Sequence, residues 1–234
     1  MDTLIMRASS GGRGTAARKA AYNSRIGQFA KRDDLVHSES TNMPSWTGGD
    51  PLRLFGAADK FERKNGTAYC EVMVALPNEL GTGQRQIDLA RDLAIVIAGE
   101  RPCLINIHAG VSSLEGVPNI HLHAMYCNRA PDGIERSAEG MFRKFNAKHP
   151  EKGGCRKLES GRTPGQVRSD MQRKREEIGL TMNRHLESAG AQARVSPTKQ
   201  VRSDVGRHVE KHLGQARIRR MTEHEREAFV ALRQ

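Results

Sequence analysis

The chain has 234 residues and a formal net charge of +11, with 37% hydrophobic and 4% aromatic residues. This length provides one large domain or two small ones, and aliphatic side chains must form most of any core. No apolar run approaches the roughly 18 residues that cross a bilayer, and the amino terminus lacks the basic and then apolar pattern of a signal peptide. We therefore expect a soluble, cytoplasmic protein without membrane insertion, whose partner is anionic.

The first part of the chain predicts short strands and helices joined by polar turns. Alanine recurs at helical spacing after residue 15, whereas four proline and glycine residues interrupt regular structure before residue 52. The predicted elements are a strand at Thr3–Ala8, a basic turn at Ser9–Gly14, a helix at Thr15–Ala30, a strand at Leu35–Ser40, a loop at Asn42–Pro51 and a helix at Leu52–Arg63.

The middle of the chain carries the clearest periodicity, and the remainder is largely helical. Strands are predicted at Ala68–Leu76, Cys103–His108 and Asn119–Cys127, with a loop at Gly110–Pro118. Helices are predicted at Gln84–Gly99, Glu139–Phe145, Gly165–Gly190, Asp204–Leu213 and Glu223–Leu232. These elements predict an α+β fold, with a mostly antiparallel sheet, helices mainly on one face and extra carboxyl-terminal helices.

Basic residues concentrate in the last third of the chain. Residues 156–234 contain 18 Lys/Arg and 10 Asp/Glu, whereas residues 1–155 contain 20 and 17. We expect residues 1–155 to form the core and residues 156–234 a basic, largely helical extension of the same domain, suited to a phosphate backbone. The four cysteines form no C-x-x-C pair, which favours free thiols, and no Walker A loop is present, so we expect no nucleotide cofactor.

Three histidines form a candidate metal site. Side chains alternate along a strand, so His121 and His123 lie on one face. If the two strands from 103 to 127 form a hairpin in which the numbers of paired residues add to 229, His108 lies opposite His121 on that same face. Three neutral imidazoles on rigid strands form a facial metal triad with open positions for substrate oxygens. The alternative is a set of structural histidines that binds no metal.

Tyr22 is a candidate nucleophile. It lies on a predicted helix in the sequence RKAAYNSR, between Lys19 and Arg25. A phenol has a pKa near 10, so it attacks only where cationic neighbours or a metal favour loss of its proton. The alternative is a surface tyrosine on a helix face.

Together these motifs resemble the MobA/MobL family of plasmid mobilisation relaxases, which belong to the HUH endonuclease superfamily. The order of the motifs along the chain carries the resemblance. They are Ala20-Ala21-Tyr22, His37-Ser38-Glu39, Glu62-Arg63-Lys64, Leu76-Pro77-Asn78-Glu79-Leu80, His108 with Asn119-Ile120-His121-Leu122-His123, Arg129, Asn183–Gly190, Arg194-Val195-Ser196 and His212-Leu213-Gly214. The sequence departs from the family at Pro118, which precedes Asn119 where many members have the reverse order.

The resemblance implies a site- and strand-specific endonuclease and strand transferase that acts on single-stranded DNA at a plasmid transfer origin. Tyr22 would form a 5′-phosphotyrosine, and the three histidines would hold Mg²⁺ or Mn²⁺ at the scissile phosphate. Glu62 and Glu71 match acidic positions of the family, and Glu71 could orient a ligand histidine. Lys19, Arg25 and Arg129 are candidate DNA contacts. Auxiliary mobilisation proteins would assist in a bacterial cytoplasm.

Other functions remain open on the sequence alone. The nearest is another HUH enzyme, either a rolling-circle replication initiator or a transposase, although the early Ala20-Ala21-Tyr22 motif favours the relaxase. A non-catalytic, basic DNA-binding accessory protein is the alternative from a different class. A histidine-triad hydrolase of small molecules explains neither the charge of +11 nor Tyr22.

Overall fold

The computed structural model describes residues 2–111, 116, 118–197, 215–218 and 220–231. Its strands are β1 (Asp2–Thr3), β2 (Met6–Gly12), β3 (Leu35–Thr41), β4 (Thr67–Ala75), β5 (Cys103–Val111), β6 (Pro118–Tyr126) and β7 (Val195–Ser196). Its α-helices are α1 (Ala16–Asn23), α2 (Pro51–Phe61), α3 (Gln84–Ala98), α4 (Ala138–Phe142), α5 (Pro164–Ser188), α6 (Gln215–Ile218) and α7 (Glu223–Ala231). No helix among these residues is both long and apolar enough to span a bilayer.

Five strands form one sheet in the order β2-β4-β6-β5-β3, and every neighbouring pair is antiparallel. The predicted hairpin register is confirmed, because Cys103 pairs with Tyr126 and His108 pairs with His121. β1 lies apart from this sheet and pairs in parallel with β7. The amino terminus is thereby joined to the segment that follows α5.

The two faces of the sheet carry two different cores. On one face, alternate residues of β4, β5 and β6 pack against the two longest helices, α3 and α5. The larger part of the helical layer thus lies opposite the histidines, as the α+β fold class predicts. The histidine face carries a second core, in which α1, α2 and α4 pack beside Leu104 and Met125. The sequence pattern did not reveal this second layer, because α1 contributes only alanines to it.

The amino-terminal segment differs from its prediction. The predicted strand Thr3–Ala8 is divided at residues 4 and 5, and the predicted turn Ser9–Gly14 is instead strand as far as Gly12. β2 is an edge strand whose small residues are mostly exposed, so pairing with β4 outweighs their low strand propensity. Gly11 is required there, because a Cβ at this position would overlap the ring of Tyr69.

The first helix is shorter than the predicted Thr15–Ala30. α1 ends at Asn23, Arg25 has a left-handed φ of 53°, and a single 3₁₀ turn follows at Gly27–Phe29. Buried contacts of Asn23 and Arg25, described below, compensate this backbone strain. The predicted helix Asp204–Leu213 and the motif His212-Leu213-Gly214 lie outside the described residues.

Candidate metal centre and nucleophile

The hairpin of β5 and β6 brings the three histidines together. The ring centroids of His108 and His121 lie 5.5 Å apart, those of His108 and His123 4.7 Å, and those of His121 and His123 5.1 Å. One nitrogen from each ring lies within 4.8 Å of the others, which is close enough for the three to share one ion. Three convergent imidazoles on adjacent strands therefore fit a divalent transition-metal ion.

Hydrogen bonds fix the orientation of two of these rings. Nδ1 of His121 donates to the backbone oxygen of Asn119 at 2.9 Å, and Nδ1 of His123 donates to Oε1 of Glu71 at 2.9 Å. Both acceptors leave Nε2 as the nitrogen that carries a lone pair. A second ring nitrogen held in this way is the usual support for a metal-binding histidine.

His108 is the most enclosed of the three. Its side chain is fully buried, and Nε2 donates to the backbone oxygen of Asn23 at 2.7 Å. Nδ1 therefore carries the lone pair and accepts from Nη2 of Arg25 at 3.2 Å, so this hydrogen bond would have to open before Nδ1 could bind a metal ion. His108 is thus attached to the end of α1, the helix that carries Tyr22.

Burial keeps His108 and His121 neutral. Desolvation lowers the pKa of His108 to about 4, although the hydrogen bond to Asn23 acts in the opposite direction. Desolvation also lowers the pKa of His121, again opposed by its backbone hydrogen bond. Neutral imidazole is the form that binds metal, so both rings have the protonation state of a ligand at neutral pH.

Glu71 connects the histidines to the edge of the sheet and to α1. It is buried, and besides His123 it accepts from Nδ2 of Asn23 at 2.8 Å and lies 2.9 Å from Nζ of Lys19. Burial by itself raises the pKa of Glu71, but the hydrogen bonds and charges of His123 and Lys19 outweigh it and hold the pKa at about 2. An ionised Glu71 therefore orients His123.

Tyr22 lies on the last turn of α1, beside the residue that contacts both His108 and Glu71. Its half-buried ring packs edge-on against Phe29, with centroids 5.3 Å apart. Three cations surround the ring, at 4.5 Å for Arg25, 5.2 Å for Arg32 and 5.5 Å for Lys19. This setting supplies the cationic neighbours that a phenol nucleophile requires.

A carboxylate from another helix sets the direction of α1. Thr15 precedes α1 but makes no side-chain capping hydrogen bond. The carboxylate of Asp59 on α2 accepts instead from the backbone N–H groups of Gly14, Ala16 and Ala17, at 2.7 to 2.9 Å. Asp59 therefore satisfies the free amides at the start of the helix that carries Tyr22.

The sequence as a whole matches a known family. Residues 8–224 match the sequence model of the MobA/MobL family. The chain belongs to the MobA/MobL family. It is 34% identical to the 43 kDa relaxation protein of Salmonella typhimurium over 190 residues, and 40% identical to Mobilization protein A of Escherichia coli over 189 residues. Each match covers 80% of this chain, but only 51% of the first relative and 25% of the second.

The fold of this MobA/MobL chain is also similar to that of a solved structure from work on vancomycin resistance transfer in Staphylococcus aureus. The TM-score is 0.57 at 20% identity, and the match covers 85% of this chain and all of that one. At that identity the likeness concerns the fold alone. It is consistent with the α+β fold class predicted from the sequence.

Two of the family's acidic and basic positions do not reach the histidine cluster. Glu62 and Arg129 are each 2% exposed and pair with each other, with Nη2 of Arg129 3.0 Å from Oε2 of Glu62. The remaining N–H groups of Arg129 donate to the backbone oxygens of Phe142, Arg143 and Cys155. With every donor engaged, Arg129 has none left for DNA, and the pair holds α2 to the segment after β6.

The expected DNA contacts beside Tyr22 are also engaged by the protein. Arg25 is 7% exposed and donates from Nε and Nη2 to both carboxylate oxygens of Asp34, at 2.6 and 2.7 Å. Its Nη1 donates to the backbone oxygen of Tyr22 at 2.6 Å. Lys19 pairs with Glu71, as described above. Arg25 therefore links Asp34 to the backbone of Tyr22 inside the protein.

Sequence reasoning missed four residues that build the site: Asn23, Asp34, Asp59 and Arg32. The first three contact partners that lie 9 to 85 positions away along the chain. A helix rule would have assigned the cap to Thr15, and no local pattern points to Asp59. The run Lys31-Arg32-Asp33-Asp34 carried the only local signal, which was its charge.

Proposed function

We propose that this protein is a relaxase, a site- and strand-specific nicking and joining enzyme for single-stranded DNA at a plasmid transfer origin. One observation carries the proposal: the end of α1 joins Tyr22 to the histidine cluster through Asn23, which contacts both His108 and Glu71. A nucleophile and a candidate metal site are thus held on one rigid unit. The relatives named for relaxation and mobilisation support the same activity.

In this proposal Oη of Tyr22 attacks the scissile phosphorus, which forms a 5′-phosphotyrosine and releases a 3′-hydroxyl. A divalent ion bound by His108, His121 and His123, Mg²⁺ or Mn²⁺ by family resemblance, would polarise the phosphate and offset its charge. The protein orients the three imidazoles, burial holds His108 and His121 neutral, and Asn23 and Arg25 anchor the end of the helix that carries Tyr22. Since the tyrosyl ester conserves the energy of the phosphodiester, rejoining requires no nucleotide cofactor.

The rest of the chain would contribute to DNA binding. Residues 156–234 would extend the domain of residues 1–155 and follow the DNA backbone, and auxiliary mobilisation proteins would open the duplex in the bacterial cytoplasm. Burial of Ile178, Met182 and Leu186 on α5 supports one continuous domain.

The test is covalent trapping. Wild-type protein and Tyr22→Phe are incubated with Mn²⁺ and labelled single-stranded oligonucleotides that tile the DNA flanking the gene. We expect wild type to give a labelled band that survives denaturing electrophoresis, and Tyr22→Phe to bind the same oligonucleotide without that band. The variant removes one hydroxyl and no charge, so affinity for DNA should change little.

Two outcomes would contradict the proposal. A wild-type protein that shifts every oligonucleotide but nicks none would be a DNA-binding accessory protein. A covalent band that persists in Tyr22→Phe would place the nucleophile elsewhere, with Tyr69 and Tyr126 as the remaining tyrosines.

A further inference from the structure

The three cations around Tyr22 differ in how their charge is used. Lys19 lies 2.9 Å from a carboxylate oxygen of Glu71, and Arg25 is paired through two donors with Asp34. Both charges are therefore offset by an adjacent carboxylate. Arg32 differs, because no carboxylate in the described part of the chain lies within ion-pair distance of it.

Arg32 also contacts the reactive atom of Tyr22. Its Nη1 donates to Oη of Tyr22 at 3.4 Å. The backbone of Arg32 is anchored by a hydrogen bond from its N–H to the oxygen of Phe29, and Phe29 packs on the tyrosine ring. An exposed guanidinium on an anchored turn is therefore directed at the hydroxyl from the solvent side.

We propose that Arg32 is a catalytic residue of the reaction proposed above, in which its guanidinium stabilises the charge on the attacking oxygen and on the scissile phosphate. The inference rests on Tyr22 as the nucleophile. Arginine stays protonated at all working pH values, so it cannot accept the phenol proton. It supplies charge and planar donors that match phosphate oxygens.

Cleavage exchanges one phosphorus–oxygen bond of the DNA for a bond to Tyr22. The Tyr22 hydroxyl loses its proton to water, Oη forms a bond to phosphorus, and the bond from phosphorus to the 3′ oxygen breaks. The released 3′ oxygen takes a proton from water and becomes a hydroxyl. Arg32 faces the negative charge that is present on Oη before attack and spread over the phosphate oxygens during it.

The experiment compares Arg32→Gln with Lys31→Gln. The second variant removes an equal charge from the adjacent side chain, which is also exposed. Single-turnover cleavage of a single-stranded origin oligonucleotide is measured with Mn²⁺ from pH 6 to pH 9. We expect Arg32→Gln to cleave about 10²-fold more slowly, as for loss of one donor to a developing oxyanion, with its rate rising only at higher pH. Lys31→Gln should follow the wild-type profile, and Arg32→Lys should recover part of the rate.

Binding separates this role from a general DNA contact. Both glutamine variants should lower the salt dependence of DNA binding to a similar small extent, since each removes one cation. If Arg32→Gln cleaves as fast as Lys31→Gln throughout the pH range, the inference is overturned while the proposed function stands. If wild type forms no adduct through Tyr22, the proposed function itself has failed.

Discussion

At the residue scale, the site depends on side chains whose orientations are fixed by hydrogen bonds. Glu71 holds His123, the backbone of Asn23 holds His108, and Asp34 holds Arg25. Each of these partners is supplied by a different element from the residue that it orients. Substitutions within this group should therefore change metal binding and catalysis together.

Replacement of His121 or His123 by alanine should remove metal binding and cleavage together. A facial triad reduced to two imidazoles holds a divalent ion weakly. Calorimetric titration with Mn²⁺ beside a cleavage assay checks this, and affinity for single-stranded DNA should fall only modestly because contacts to phosphate supply most of it. Variants that titrate like wild type and still nick would return these histidines to a structural role.

His108 should make the metal-free protein less stable in acid. Its pKa is about 4 in the folded state against an ordinary value of 6.5, so between these values the unfolded chain binds the additional proton. Stability is therefore full above pH 6.5 and is lost as the pH falls toward 4. In urea unfolding with chelator present, His108→Asn should show a smaller loss between pH 7 and pH 5 than wild type.

An equal loss of stability in the two proteins over that interval would contradict the prediction for His108. His121, whose pKa is also lowered, should account for part of the slope that remains in His108→Asn.

At the scale of elements, α1 is a short helix whose position is set by its neighbours. It has only eight residues, so although four of them are alanine it is too short to be stable by intrinsic propensity alone. Asp59 caps its first turn, and Asn23 and Arg25 anchor its end. The position of Tyr22 is therefore set by α2 and by the sheet.

Asp59→Ala should lower the free energy of unfolding by about 1–2 kcal/mol, the usual effect of losing a helix cap. It should also slow cleavage, because α1 would lose its fixed direction. Chemical denaturation and the trapping assay measure the two effects. Glu100→Ala is the control, since this exposed carboxylate has no partner among the described residues and should change neither.

At the scale of the whole molecule, the segment after residue 155 completes the fold. α5 buries Ile178, Met182 and Leu186 against the sheet face opposite the histidines, and β7 pairs with β1. Asn183 donates to the backbone oxygen of Val195 and accepts from its N–H, so β7 is also tied to α5. Stability of residues 1–155 should therefore depend on this segment.

Leu186→Ala should cost about 2–5 kcal/mol of unfolding free energy, as truncation of a buried leucine does. Leu180→Ala, on the same helix but 62% exposed, should cost far less. Urea denaturation of both variants measures the difference. Equal and small effects would mean that α5 contributes little to the domain of residues 1–155.

Much of the candidate site could be predicted from the sequence because the three histidines lie close together along the chain. Alternation along β5 and β6 places His108, His121 and His123 on one face, and the short connection between the strands determines their register. The basic neighbours of Tyr22 and the order of the motifs made it a candidate, and its role as nucleophile stays a prediction. Strand alternation and hairpin pairing depend on residues within about twenty positions of each other, so the sequence pattern alone predicts which side chains share a face.

Only the tertiary structure decided which charged and polar residues serve the site. Glu62 and Arg129 have the residue types of a functional pair but form a buried ion pair, whereas Glu71 reaches His123 on the neighbouring strand. Arg32 contacts Tyr22 because α1 ends early and the chain turns back over it. A side chain's partner depends on which distant segments pack beside it. The cost of leaving a charge unpaired depends on burial, and burial exists only after folding.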